Sequence, residues 1–129
     1  GLVSTVDDYY AFCRMMLNKG RHGANRILSR ASVELMMTDH LTTSQREANA
    51  IFFDGNSGWG FGMGVVTERD GLASVPGRFG WTGGVGTSAY SDPREDLVGI
   101  LMTQRMMDSP VPPAVYADFW TTAYQAIAD

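Results

Sequence analysis

The chain has 129 residues, 44% of them hydrophobic and 19% charged, with a formal net charge of -4. A chain of that length buries roughly two-thirds of its unfolded surface, so one compact domain is expected over 1–129. Its basic residues are scattered rather than gathered into a stripe, which argues against nucleic acid and anionic lipid as partners. No apolar run approaches the roughly 18 residues of a membrane span, and GLVSTVDDYY has neither a charged leader nor an apolar signal core. No targeting segment is expected, the compartment stays open, and a first residue of Gly1 rather than Met suggests a chain cut from something longer.

Thr5 and Asp8 have the spacing of a capping arrangement, and Tyr9, Phe12, Cys13, Met16 and Leu17 recur at helical intervals until Gly20. The spacing predicts a helix of about four turns. Cys13 is the only cysteine, which excludes an internal disulfide and reads as a small buried helix residue. Ser29 caps a second helix whose apolar stripe is Val33, Met36 and Met37, and helices are expected over about 4–40. The polar stretch HLTTSQREANA that follows reads as a loop or a frayed helix end.

From Ser57 the period changes. Gly58, Gly60, Gly62 and Gly64 alternate with Trp59, Phe61, Met63 and Val65, the pattern of one strand with its large side chains on one face. Further strands are expected at 73–81, 87–91 and 97–104, the last two joined by the turn DPRED with Pro93. Strands thus occupy about 57–105, and their short connections favour antiparallel neighbours. The prolines of SPVPPAVYADFWTTAYQAIAD suit a helix start, and Val115, Phe119, Ala123 and Ile127 mark the buried face of a helix over about 111–128. The expected class is α+β: an antiparallel sheet of about three to four strands, with N-terminal helices and a C-terminal helix packed on it.

Several chemistries lack their residues. His22 and His40 have no metal-ligand spacing and, with one cysteine, no zinc pattern exists; both read as solvated surface residues, and neither metal nor cofactor is expected. GWGFGMG alternates strictly instead of following G-x-G-x-x-G, so it is a poor phosphate cradle. There is no G-x-S-x-G, and no Ser-x-x-Lys, because the only lysine is Lys19 and position 16 is Met.

The ordered set GLVSTVDDYYAFCRMMLNKG, ILSRASVELM, GWGFGMGV, FGWTGGVGTSAYSDPREDLVGILMTQ and a terminal helix resembles the C-terminal part of the serine β-lactamase, penicillin-binding-protein and related-esterase superfamily, in particular its class C-like branch. In that family a strand carries a third active-site motif, commonly Lys-Thr-Gly, His-x-Gly or Trp-x-Gly, and Trp81-Thr82-Gly83 stands in its place. The resemblance implies an acyl-serine mechanism on a small-molecule ester or β-lactam-like substrate. The residue after the motif, Gly84, would then give one oxyanion-hole amide, with Trp81, Thr82 and Gly83 lining the substrate slot. Trp81 in place of a lysine offers one neutral donor and an apolar face, so an esterase-like substrate is expected over an anionic β-lactam. The competing reading makes Gly83 and Gly84 a tight turn between strands.

The departures are as informative. Neither the Ser-x-x-Lys nucleophile nor a Tyr-x-Asn base motif occurs in these 129 residues, and Tyr90-Ser91-Asp92, which follows the third motif, reads as structural. The isolated chain is expected to be catalytically inactive. In the family fold the strand at 97–104 pairs with a strand from the missing part; cut free, it becomes an edge that invites a homodimer. The alternative function is a binding or strand-pairing module that never did chemistry.

Overall fold

The computed structural model describes residues 2–53 and 55–128. Helix α1 spans Val6–Leu17, opened by the Thr5 hydroxyl accepting the Asp8 N–H at 3.2 Å and by the acidic pair Asp7 and Asp8 in its first turn. It buries Cys13, Met15 and Met16. A small hairpin, β1 (Arg21–His22) and β2 (Asn25–Arg26), leads to α2 (Arg30–Met36), capped by Ser29 and buried through Val33. The polar stretch after it is helical where a loop or frayed end was expected. Helix α3 (Thr43–Ala48) starts with a reciprocal capping box between Thr42 and Gln45, and the short α4 (Ala50–Phe53) follows. With no buried residue in α3, there was no apolar stripe to betray it.

Five antiparallel strands follow: β3 (Ser57–Trp59), β4 (Gly64–Val66), β5 (Phe79–Gly83), β6 (Thr87–Asp92) and β7 (Leu97–Met102), neighbours in that order. The expected α+β arrangement holds, but with one strand more than anticipated, because the single strand read from Ser57 onward folds back as the β3–β4 hairpin. Phe61 N–H donates to the Met36 carbonyl at 3.1 Å and Gly60 N–H to Met63 at 2.9 Å, which bends the chain there. The Met36 carbonyl comes so close that a Cβ at Gly60 would lie 1.9 Å from it. The strand expected at 73–81 is ordered as strand only from Phe79, since Arg78 N–H turns back to Val75 at 2.9 Å.

The sheet divides two apolar clusters. On one face Met15, Met16 and Val33 of the helices meet Met63, Val65 and Phe79. On the other, α5 (Ala114–Gln125) lays Trp120 and Tyr124 against Val75, Tyr90 and Leu97. The buried stripe of α5 is Tyr116, Trp120 and Tyr124, not the expected Val115, Phe119, Ala123 and Ile127; Val115 and Ile127 are exposed. The large rings set the phase. Trp120 fits where β7 has Gly99, whose Cβ would sit 2.5 Å from the indole, and Tyr124 donates to the buried Asp92 at 2.7 Å. Arg78, only 6% exposed, lies with its guanidinium 4.2 Å from the Tyr90 ring centroid and 4.1 Å from that of Trp120, donating to the Ala73 carbonyl at 2.7 Å. Burial lowers its pKa.

One carboxylate ties α2's exit to the β3 hairpin. Asp39 accepts the Leu41 and Trp59 amides, each at 3.0 Å, and pairs with Arg46, which also donates to the Ser57 carbonyl. Burial pushes the Asp39 pKa up, but the two amides and Arg46 together outweigh it and hold it below the usual carboxylate range. A folded pKa below the unfolded one means stability present above the unfolded value, about 3.9, and lost as pH falls through the folded one. Asp39→Asn is therefore expected to cost about 1–2 kcal/mol at neutral pH, with the gap from wild type closing in acid. Thermal unfolding at a series of pH values measures this; an unchanged gap at acid pH would exclude the charge as its source.

Candidate active site

Strand β5 ends in the residues singled out by the sequence. Trp81 pairs with Ala89, Thr82 with Ser88 and Gly83 with Thr87, so Gly83 closes the strand and Gly84, Val85 and Gly86 form the turn into β6. Gly86 has φ +97, and a Cβ on it would lie 2.5 Å from the Arg105 carbonyl, so only glycine fits there without strain. The turn is fastened to the segment after β7. Thr103 N–H donates to the Gly86 carbonyl at 2.8 Å, Thr103 Oγ1 to the same oxygen at 2.9 Å, and Met107 N–H to the Gly84 carbonyl at 2.8 Å. Gly84 itself is exposed, a Cβ built on it meets nothing within 4 Å, and its N–H donates to no acceptor among the described residues.

Trp81 and Thr82 point to opposite faces of the sheet, as strand alternation requires. Trp81, 38% exposed, has its ring 4.8 Å from that of Trp59 at 88°. Thr82 Oγ1 lies 3.0 Å from Ser88 Oγ, which accepts the Trp120 Nε1–H at 2.9 Å, so this hydroxyl is held by a chain running to α5. Beside Thr82 and Gly84 opens a hollow of about 470 Å³, lined also by Phe52, Tyr90, Met107 and Pro110. No charged side chain lines it among the described residues. All four sequence-chosen residues, Trp81, Thr82, Gly83 and Gly84, thus lie on one strand end, three of them around this hollow.

Phe52, Met107 and Pro110 were missed because they come from α4 and from the segment after β7, which only the fold brings to the end of β5. The serines offer no activated nucleophile among the described residues. Ser57 Oγ donates to the Phe52 carbonyl at 3.3 Å, Ser88 serves Trp120, and Ser91 Oγ is buried without a partner. His22 and His40 are exposed, as read from the sequence, and His40 also has its Nε2 2.8 Å from the Leu35 carbonyl and its ring stacked on Phe61 at 4.4 Å. Ser91 and Asp92 of the Tyr90-Ser91-Asp92 triplet are buried in β6, where Asp92 accepts the Arg94 amide at 2.8 Å and opens the turn into β7. Burial raises the Cys13 pKa.

The beta-lactamase family model matches residues 1–118. Protein Rv1367c of Mycobacterium tuberculosis (strain H37Rv) and Uncharacterized protein MT1414 of Mycobacterium tuberculosis (strain CDC 1551) are each 37% identical over 118 residues, covering 86% of this chain and 29% of their own. The chain thus spans about three tenths of the length of these curated relatives. The crystal structure of a novel penicillin-binding protein homolog from Caulobacter crescentus superposes with a TM-score of 0.58 at 15% identity, over 88% of this chain and 30% of that one. At that identity the likeness concerns the fold.

Proposed function

This chain belongs to the beta-lactamase family, and from that premise we propose that it is the C-terminal part of a serine hydrolase, supplying the third active-site motif but not the nucleophile. One observation carries the reading: the Gly84 N–H is unengaged, at the rim of an open hollow, directly after Trp81-Thr82-Gly83. In the complete protein a serine oxygen attacks the substrate carbonyl, the C=O electron pair moves onto oxygen, and the Gly84 amide donates to that oxyanion. Trp81, Thr82 and Gly83 form the wall beside it. The substrate favoured is a neutral ester, because the hollow holds no cation to anchor a carboxylate among the described residues.

The test is intact-mass labelling of this chain with a fluorophosphonate, alongside turnover of a p-nitrophenyl ester and a chromogenic cephalosporin. No adduct and no turnover are expected. A stoichiometric adduct on any serine would overturn the division of the active site. In the full-length protein, a kcat/KM for the cephalosporin far above that for short-chain esters would overturn the substrate preference.

A second reading, a strand-pairing module, is favoured by β7, which ends the sheet with β6 as its only strand neighbour among the described residues. Its outer N–H and C=O groups form a template for another strand. Concentration-dependent dimerisation of the isolated chain is expected in sedimentation velocity. A monomer at every concentration, with full amide-exchange protection along 97–102, would count against it.

A further inference from the structure

Four aromatic rings from three segments close on themselves beside β3. Phe52 lies 6.4 Å from Phe53, Phe53 6.1 Å from Trp59, Trp59 4.8 Å from Trp81, and Trp81 6.4 Å from Phe52, completing the circuit. Successive rings are inclined by 58°, 66°, 88° and 46°, so none of these neighbours is stacked parallel. The four rings line a hollow of about 290 Å³, to which Leu41 and Asn49 are the other contributors. It is a different hollow from the one beside Thr82 and Gly84, sharing with it Phe52 and Trp81.

Ordinary core packing does not account for this box. Phe52 is 50% exposed and Trp81 38%, so the rings form a contiguous aromatic patch open to water in this chain, the kind of surface that marks an interaction site. No charged side chain lines it among the described residues. The guanidinium of Arg46 is engaged with Asp39 and the Ser57 carbonyl. Each aromatic face carries negative quadrupole potential, and a cation seated over this circuit lies within the roughly 6 Å of several centroids at which the attraction acts. A primary ammonium would want acceptors for its three protons, and the lining side chains offer one, the Asn49 Oδ1. A quaternary ammonium has no N–H to satisfy.

We propose that the box formed by Phe52, Phe53, Trp59 and Trp81 binds a quaternary ammonium group of the choline type. The site does not depend on the nucleophile or on the oxyanion role of Gly84, and it shares Trp81 with the wall described above. Tryptophan fluorescence of the 129-residue chain, titrated with choline and with its neutral carbon isostere 3,3-dimethylbutan-1-ol, tests it directly. Saturable quenching is expected, with choline binding about tenfold tighter than the alcohol, the ratio given by 1.4 kcal/mol of cation–π attraction. Phe52→Leu, at a half-exposed position, is expected to weaken choline binding and leave the alcohol little changed, with an unchanged circular dichroism spectrum. Trp59→Leu, with an unchanged circular dichroism spectrum, is expected to abolish the preference. Equal binding of the two compounds, or no saturation by choline into the millimolar range, would overturn the proposal. Sedimentation with phosphatidylcholine vesicles then separates the sources, a lipid headgroup if the chain pellets in a Phe52-dependent way and a soluble compound if it stays in solution.

Discussion

Trp120→Ala is expected to lower the unfolding free energy by about 3–5 kcal/mol, a large part of the 5–15 kcal/mol that holds a domain together. The side chain is 7% exposed, meets Tyr90 edge to face at 5.5 Å and Phe119 at 4.9 Å, and fills the place that Gly99 leaves in β7. Its removal costs transfer free energy and opens a cavity, since a glycine opposite has nothing with which to fill it. Two polar groups lose support as well. Ser88 no longer receives the indole N–H, and Arg78, whose Nε and second terminal nitrogen are already buried without acceptors, loses one of the rings stacked on it. Trp120→Phe keeps most of the volume but not the donor, and should cost less. Urea unfolding measures both; a midpoint for the alanine variant within about 1 kcal/mol of wild type would show that α5 is not anchored this way.

Gly84→Val in the full-length protein should reduce kcat by about 10²–10³-fold, the size found when one oxyanion donor is lost from a serine hydrolase. The fold has room for it: nothing stands within 4 Å of the new Cβ, and Gly84 does not need the left-handed conformation that Gly86 adopts. The added side chain would stand at the hollow's rim, where it hinders the approach of a substrate carbonyl to the amide. The pairing of lost turnover with an unchanged melting temperature is what separates this role from that of a structural turn. Wild-type turnover would remove Gly84 from the machinery.

Much of the helix and sheet arrangement was legible because local spacing follows the elements in α1, α2, β6 and β7, although in α1 Tyr9 and Phe12 of the expected stripe are exposed and Met15 is buried beside Cys13 and Met16. The motif's place at a strand end was legible through family resemblance alone, for nothing in the letters WTGG distinguishes a slot wall from any other hairpin. What remained hidden was decided across the sheet. A strict alternation from Gly58 to Val65 has the same period whether the strand is straight or folded back; the carbonyl of Met36, more than twenty residues upstream, bends it. The residues 115, 119, 123, 127 and 116, 120, 124 share one helical period, and the phase was chosen by Gly99 and Asp92 on the facing strands. Helix α3 rests on a capping box with no apolar stripe, the weakest signal a helix can carry.

The chain of hydroxyl and indole from Thr82 through Ser88 to Trp120 also bears on what can be moved from one protein to another. A hairpin of residues 79–92 grafted onto a different scaffold would carry its motif letters intact yet arrive with Thr82 free to rotate and Ser88 short of a donor. The smallest portable unit therefore includes the C-terminal helix, and recombination between relatives should preserve function where its crossover falls before β5 and lose it where it falls between β7 and α5.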